Sequence, residues 1–160
     1  MFLLKRRGRK SIKSRNFNFN EIAHRVCPDS KKDIGWFLMG KIQTIVDYLE
    51  WQLGYEIECI PTSGWRNPEY TLQLYKERHP NTPLPLAATT SNHYWRTDVN
   101  EYIKCAGDYK FYKKLEKTQI PCSIIFPLLH PFKGEIYWNK KQDIIHIGEH
   151  GQTVKSHWIE

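Results

Sequence analysis

The sequence predicts an α+β domain: a small, central, mainly antiparallel sheet with about three packed helices. Three observations carry this. An apolar stripe recurs at three- and four-residue spacing from Ile34 to Leu53. Tyr55 to Ile60 alternates apolar and acidic residues, and Lys140-Lys141 sits between two strand-like segments as a hairpin signal. Helical and extended stretches are segregated rather than strictly alternating, with no internal repeat. At 160 residues, 40% apolar and 14% aromatic, the chain is expected to form one domain with its own core, and wholesale disorder is excluded.

Residues 1–20 read as a basic, flexible arm, and residues 21–160 as the domain. Lys5, Arg6, Arg7, Arg9, Lys10, Lys13 and Arg15 precede the first acid, Glu21. They account for the whole net charge of +7, so the rest is neutral. Such an arm is either a solvated tail or a contact for an anionic polymer, nucleic acid or anionic lipid. Asn16 to Asn20 alternates polar and aromatic residues, as an edge strand does, and Glu21 to Val26 suits a short helix.

Asp33 can cap a helix over Ile34, Phe37, Leu38, Ile42, Ile45, Val46, Leu49 and Leu53, closed by Gly54. Tyr55, Ile57 and Cys59 alternate with Glu56 and Glu58 as a half-buried strand ended by Pro61. Ser63-Gly64 turns the chain. Asn67-Pro68 opens a second helix through Arg78, with Leu72 and Tyr75 inward. His79 to Thr90 holds Pro80, Pro83 and Pro85 and reads as a long surface loop. Thr97 to Ile103 reads as a strand. Gly107-Asp108 is expected to start a third helix through Lys117, with Phe111, Tyr112 and Leu115 inward. Pro121 and Pro127 break an apolar stretch from Ile120 to Leu129. Glu135 to Asn139 and Asp143 to Gly148 make the hairpin, and the last residues form a loosely held tail with a final strand.

Cys27, Cys59, Cys105 and Cys122 are widely spaced, with no Cys-x-x-Cys. They are expected to be reduced and mostly buried, not a zinc knuckle, and neither Cys105 nor Cys122 has the local signature of a nucleophile. No apolar run reaches the roughly 18 residues of a membrane span. Met1 to Leu4 is too short for a signal-peptide core, so the chain is expected to be cytoplasmic as synthesised.

The chemistry gathers in three segments: Thr62-Ser63-Gly64-Trp65-Arg66-Asn67-Pro68-Glu69, Ser91-Asn92-His93 through Asn100, and Asp143-Ile144-Ile145-His146. A lone strand histidine is usually a hydrogen-bonded core residue. Two from different strands with a carboxylate beside one of them suit a metal, because catalytic zinc takes three protein ligands from imidazole nitrogen and carboxylate oxygen. A further carboxylate is then needed to accept a proton from water, and Asp143 is the candidate. Trp65, Tyr94 and Trp95 flank the segments and are candidates to line a groove for glycan or peptide.

These motifs, in this order, resemble the zinc D-Ala-D-Ala carboxypeptidase and L-Ala-D-Glu endopeptidase family, which includes many phage endolysins. The resemblance spans about residues 55 to 148. It implies a zinc-dependent peptidase acting on a peptidoglycan stem peptide beside a D-residue, after release to the cell wall or as part of a virion. The family pattern Ser-x-His-x-x-Gly-x-Ala-x-Asp places Ser91 in the substrate site and His93 as a metal ligand. His146 falls on the third ligand, Asp143 on the catalytic acid, and Arg66 on the substrate-binding arginine. The chain departs from the pattern at Arg96, Asp98 and Asn100, which stand for glycine, alanine and the ligand aspartate. Three outcomes stay open. Asn100 ligates as a neutral amide. Asp98, on the same strand face, takes over as ligand. Or zinc is lost, leaving a degenerate relative that binds cell wall or serves as a virion-structural protein.

Overall fold

The computed structural model describes residues 17–23, 28–78, 80–81, 92–97, 102–149 and 157–159. The fold is α+β, as its patterning predicts. Helix α1 (Phe19–Ala23) and a 3-10 turn (Asp29–Lys31) precede the long helix α2 (Lys32–Leu53). Strand β1 (Ile57–Ser63), helix α3 (Pro68–Arg78), strands β2 (Arg96–Thr97), β3 (Ile103–Lys113) and β4 (Thr118–Gln119) and helix α4 (Cys122–Leu128) follow. The hairpin β5 (Glu135–Asn139) and β6 (Ile144–Glu149) and the terminal β7 (His157–Ile159) complete the chain.

The sheet runs β1-β3-β6-β5-β7, with β2 and β4 pairing to the two ends of β3. All pairings are antiparallel except β5 with β7. Helix α2 lies against one face and buries Ile34, Leu38, Ile42, Ile45, Val46 and Leu49 of the expected stripe, with Met39 added. Phe37, expected inward, is exposed, and the helix starts at Lys32, so Asp33 is not its cap. Gly54 ends it in the left-handed region at φ 77°, where glycine carries no Cβ penalty. Tyr109, Phe111, Ile136, Ile145 and Ile147 meet the helix layer from the sheet. Lys41 of α2 ties the layers at their edge, donating to the carbonyls of Lys133 (2.7 Å) and Gly148 (3.0 Å) and pairing with Glu149.

Several elements depart from expectation. Gly107 to Lys113 is strand, not the start of a helix. Tyr109 and Phe111 alternate with the less buried Lys110 and Tyr112, and closely set aromatics favour a pleated surface. Leu115, expected inward, is 83% exposed. Strand β1 continues through Pro61 to Ser63, because it lies at the sheet's edge and shifts register between those residues. The polar-aromatic run near Asn18 opens a helix: Asn18 and Glu21 exchange side-chain-to-backbone bonds at 3.0 and 2.9 Å, the reciprocal cap of a helix start. Phe17 and Phe19 are buried, so the core begins inside the stretch read as arm. Residues 1–16 lie outside the described residues.

Helix α3 starts where Asn67-Pro68 predicts, with Asn67 Oδ1 accepting the Tyr70 N–H at 2.7 Å. It buries only Thr71, and Tyr75 is exposed. Arg96–Thr97 and Ile103 onward are extended, whereas 98–101 lie outside the described residues. So does the loop expected from His79 to Thr90, apart from 80–81. The apolar stretch after Ile120 folds as α4, entered from Pro121 and carrying Pro127 within it. Cys59, Cys105 and Cys122 are buried free thiols, as expected, and Cys27 lies outside the described residues. Among the described residues, no helix is long and apolar enough to cross a membrane.

Candidate metal centre

The sheet registers place Ser63, Asp108, His146 and Tyr137 in one row across β1, β3, β6 and β5. Paired residues of adjacent strands share a face. This row therefore lies opposite the α2 face, to which Tyr109, Ile145 and Ile147 point. The chain after β1 and the segment before β2 cover the row with Arg66 and His93.

His93, Asp108 and His146 each turn one ligand-type atom to within 4.8 Å of the others. All three are buried. His146 Nδ1 is 2.8 Å from Asp108 Oδ1, and His93 Nε2 is 3.5 Å from the same oxygen. The two rings meet edge to face at a centroid separation of 5.1 Å. The far nitrogen of each ring is engaged elsewhere. His93 Nδ1 donates to the Gly64 carbonyl at 2.7 Å, and His146 Nε2 lies 2.5 Å from Glu135 Oε1. Asn92 Nδ2 donates to Glu135 Oε2 at 2.5 Å, and the Tyr137 ring stacks on His146 at 4.4 Å.

Arg66 completes the cluster. Its backbone N–H donates to the His93 carbonyl at 2.7 Å. Its Nε donates to Ser63 Oγ at 2.9 Å, and its Nη2 to Asp108 Oδ2 at 3.3 Å. Burial lowers the guanidinium pKa, and Asp108 partly opposes this.

Burial alone pushes Asp108 up, but His93 and His146 overcome it and hold the carboxyl well below its usual range. Burial alone pushes His146 down; its bonds to Asp108 and Glu135 outweigh that and lift it to about 9. His93 stays lowered, because burial outweighs its single carboxylate. Without a metal, His146, held between two carboxylates, thus keeps its proton more firmly than His93.

Two imidazoles and one carboxylate on an inward-facing set of atoms, each ring anchored by its outer nitrogen, is a donor set that fits zinc. Of the residues singled out from sequence, Arg66, His93 and His146 converge. Asp143 stands apart from them. It lies in the β5–β6 turn at φ 50°, accepting from Trp138 Nε1 (3.1 Å) and Gln119 Nε2 (3.3 Å). Trp138 belongs to the helix-facing side of β5 and packs on Phe126, so the Asp143 carboxylate lies on the face opposite His146.

Trp65 and Trp95 are core residues, not groove lining. Trp95 is wholly buried, packs edge-on against Phe19 and donates from Nε1 to the Ala106 carbonyl at 2.9 Å. Tyr94 is half-buried under Lys31 Nζ. Ser91, Asp98 and Asn100 lie outside the described residues.

Asp108 and Glu135 were not anticipated. Asp108 stands in the run Ala106-Gly107-Asp108, eight residues beyond Asp98-Val99-Asn100, where the expected carboxylate ligand was sought. Glu135 had no sequence signal, because its role arises from strand pairing. No family model, curated protein or solved structure matches the chain.

Proposed function

We propose that the protein is a zinc-dependent peptidase of peptidoglycan stem peptides, with His93, Asp108 and His146 as metal ligands. The observation that carries this reading is the convergence of those three residues with Arg66, together with the resemblance of the segments bearing Arg66, His93 and His146. Asp108 then supplies the carboxylate that the resemblance seeks at Asn100. Zinc, when bound, polarises a scissile carbonyl and acidifies water.

The chain's own residues do the rest. His93 and His146 present neutral nitrogens, which requires His146 to give up a proton. Arg66, anchored by Ser63 and Asp108, offers a cation for a substrate carboxylate or a developing oxyanion. The sheet and the Trp95 segment keep the ligands buried, where their charges act with little solvent screening. Asp143 has no part in this site.

The test pairs metal content with turnover. Purified protein is expected to hold about one zinc per chain and to release stem-peptide fragments from peptidoglycan. Asp108→Asn is expected to lower both. Protein that carries zinc yet leaves peptidoglycan uncut would favour the competing class, a cell-wall-binding or virion-structural relative.

A further inference from the structure

We propose that Glu135, clamped by Asn92, is the positioning residue for His146, fixing the tautomer that turns Nδ1 toward Asp108 and His93. The proposal rests on reading those three residues as metal ligands and adds what holds one of them in place.

The argument starts from the two sides of the His146 ring. Nδ1 faces Asp108 Oδ1 at 2.8 Å, on the side where His93 Nε2 approaches the same oxygen. Nε2 faces Glu135 Oε1 at 2.5 Å. A neutral imidazole keeps one N–H and offers one lone pair. A carboxylate oxygen faces each nitrogen and can only accept; with Asp108 engaged by a metal, Glu135 would be the acceptor that keeps the remaining proton on Nε2 and leaves the Nδ1 lone pair for that metal. His93 is arranged in the mirror sense: the Gly64 carbonyl takes the Nδ1 proton and Nε2 faces inward. Each ring thus has an outer acceptor and an inner nitrogen.

Glu135 is itself held. Asn92 Nδ2 donates to its second oxygen at 2.5 Å, so the carboxylate cannot rotate off the ring without breaking that bond. Asn92 directly precedes His93 in the chain. One amide therefore couples the segment carrying the first imidazole to the acceptor that aims the second. Glu135 lies two residues from Tyr137 on the same face of β5, and Tyr137 stacks on the ring, so the ring's plane and its rotation are fixed from one strand.

The experiment measures zinc affinity by competition with a chromophoric chelator and records the absorption spectrum of the cobalt-loaded protein. Glu135→Ala is expected to weaken zinc binding roughly 10- to 100-fold and to change the cobalt spectrum. Glu135→Gln keeps an acceptor oxygen and is expected to restore affinity to within about threefold of wild type, with a wild-type spectrum. Asn92→Ala is expected to fall between them. Wild-type affinity in Glu135→Ala, or equal losses in the Ala and Gln variants, overturns the assignment. So does a Gln variant that keeps zinc but loses hydrolysis, which makes Glu135 a proton-transfer group. Circular dichroism checks that each variant is folded, and the Gln variant keeps the test decisive should the Ala variant unfold. Failure of the metal reading itself shows in the wild type, as absence of zinc uptake, and removes the Glu135 assignment with it.

Discussion

His93 and His146 are equally buried and belong to one cluster, yet their basicities move in opposite directions. His93 reaches the cluster from an irregular segment and has a backbone carbonyl and one carboxylate at 3.5 Å. His146 is set in a strand between two carboxylates at 2.8 and 2.5 Å. Loss of water is much the same for both. What differs is the number and closeness of negative charges, and that decides whether desolvation or ion pairing wins.

The sharpest way to break this comparison is truncation in metal-free protein. His146→Ala leaves Asp108 and Glu135 buried without their shared cation and is expected to cost about 3–5 kcal/mol. His93→Ala removes a hydrogen bond to a carbonyl, the longer 3.5 Å contact with Asp108 and some packing, and should cost about 1–3 kcal/mol. Urea unfolding measures both, and equal losses would refute the asymmetry.

A second test uses pH. His146 has a folded-state pKa above its ordinary 6.5, so its contribution to stability is full below 6.5 and lost as pH rises through about 9. His93 is lowered, so its contribution is full above 6.5 and lost as pH falls below it. Metal-free protein should therefore melt at its highest temperature near pH 6.5. The proton on His146 also competes with zinc, so zinc affinity should fall roughly tenfold per pH unit below about 9. Monotonic melting curves, or pH-independent zinc binding, would contradict this.

The smallest expected effect is at Asp143. Asn tolerates the left-handed backbone there and keeps an acceptor for Trp138. Asp143→Asn should change stability by under about 1 kcal/mol and leave zinc affinity unchanged. A large loss of metal would return Asp143 to the site.

Much of this molecule is legible from local pattern. The α2 stripe, the Gly54 stop, the Asn67-Pro68 helix start and the β5–β6 hairpin all depend on neighbours a few residues apart. Strand β3 departs from the helical expectation because Phe111, Tyr112 and Leu115 also fit a helical spacing, whereas the strand ends at Lys113 and leaves Leu115 in solvent. The site was half legible for the same reason. Arg66, His93 and His146 sit in short motifs, whereas Asp108 reaches them through the β1–β3–β6 register and Glu135 through β5 pairing with β6. Asp143 shows the converse: three residues before His146, it falls on the opposite face by strand alternation, and its left-handed turn leaves it bonded to Trp138 there.

The peptide unit joining Gly64 to Trp65 works from both ends. Its carbonyl receives the His93 ring proton, and its N–H donates to the Ala23 carbonyl at 2.9 Å. Donation at one end polarises the unit and strengthens acceptance at the other, by something like 10–30%. A Cβ on Gly64 would overlap the carbonyl oxygens of Ile22 and Ala23, so the two segments touch backbone to backbone. The orientation of an imidazole is thereby wired to the last turn of a helix some seventy residues earlier. Trimming the chain back to Phe17 should leave that wire intact. Trimming it past Ala23 should loosen His93 even though no ligand has been removed.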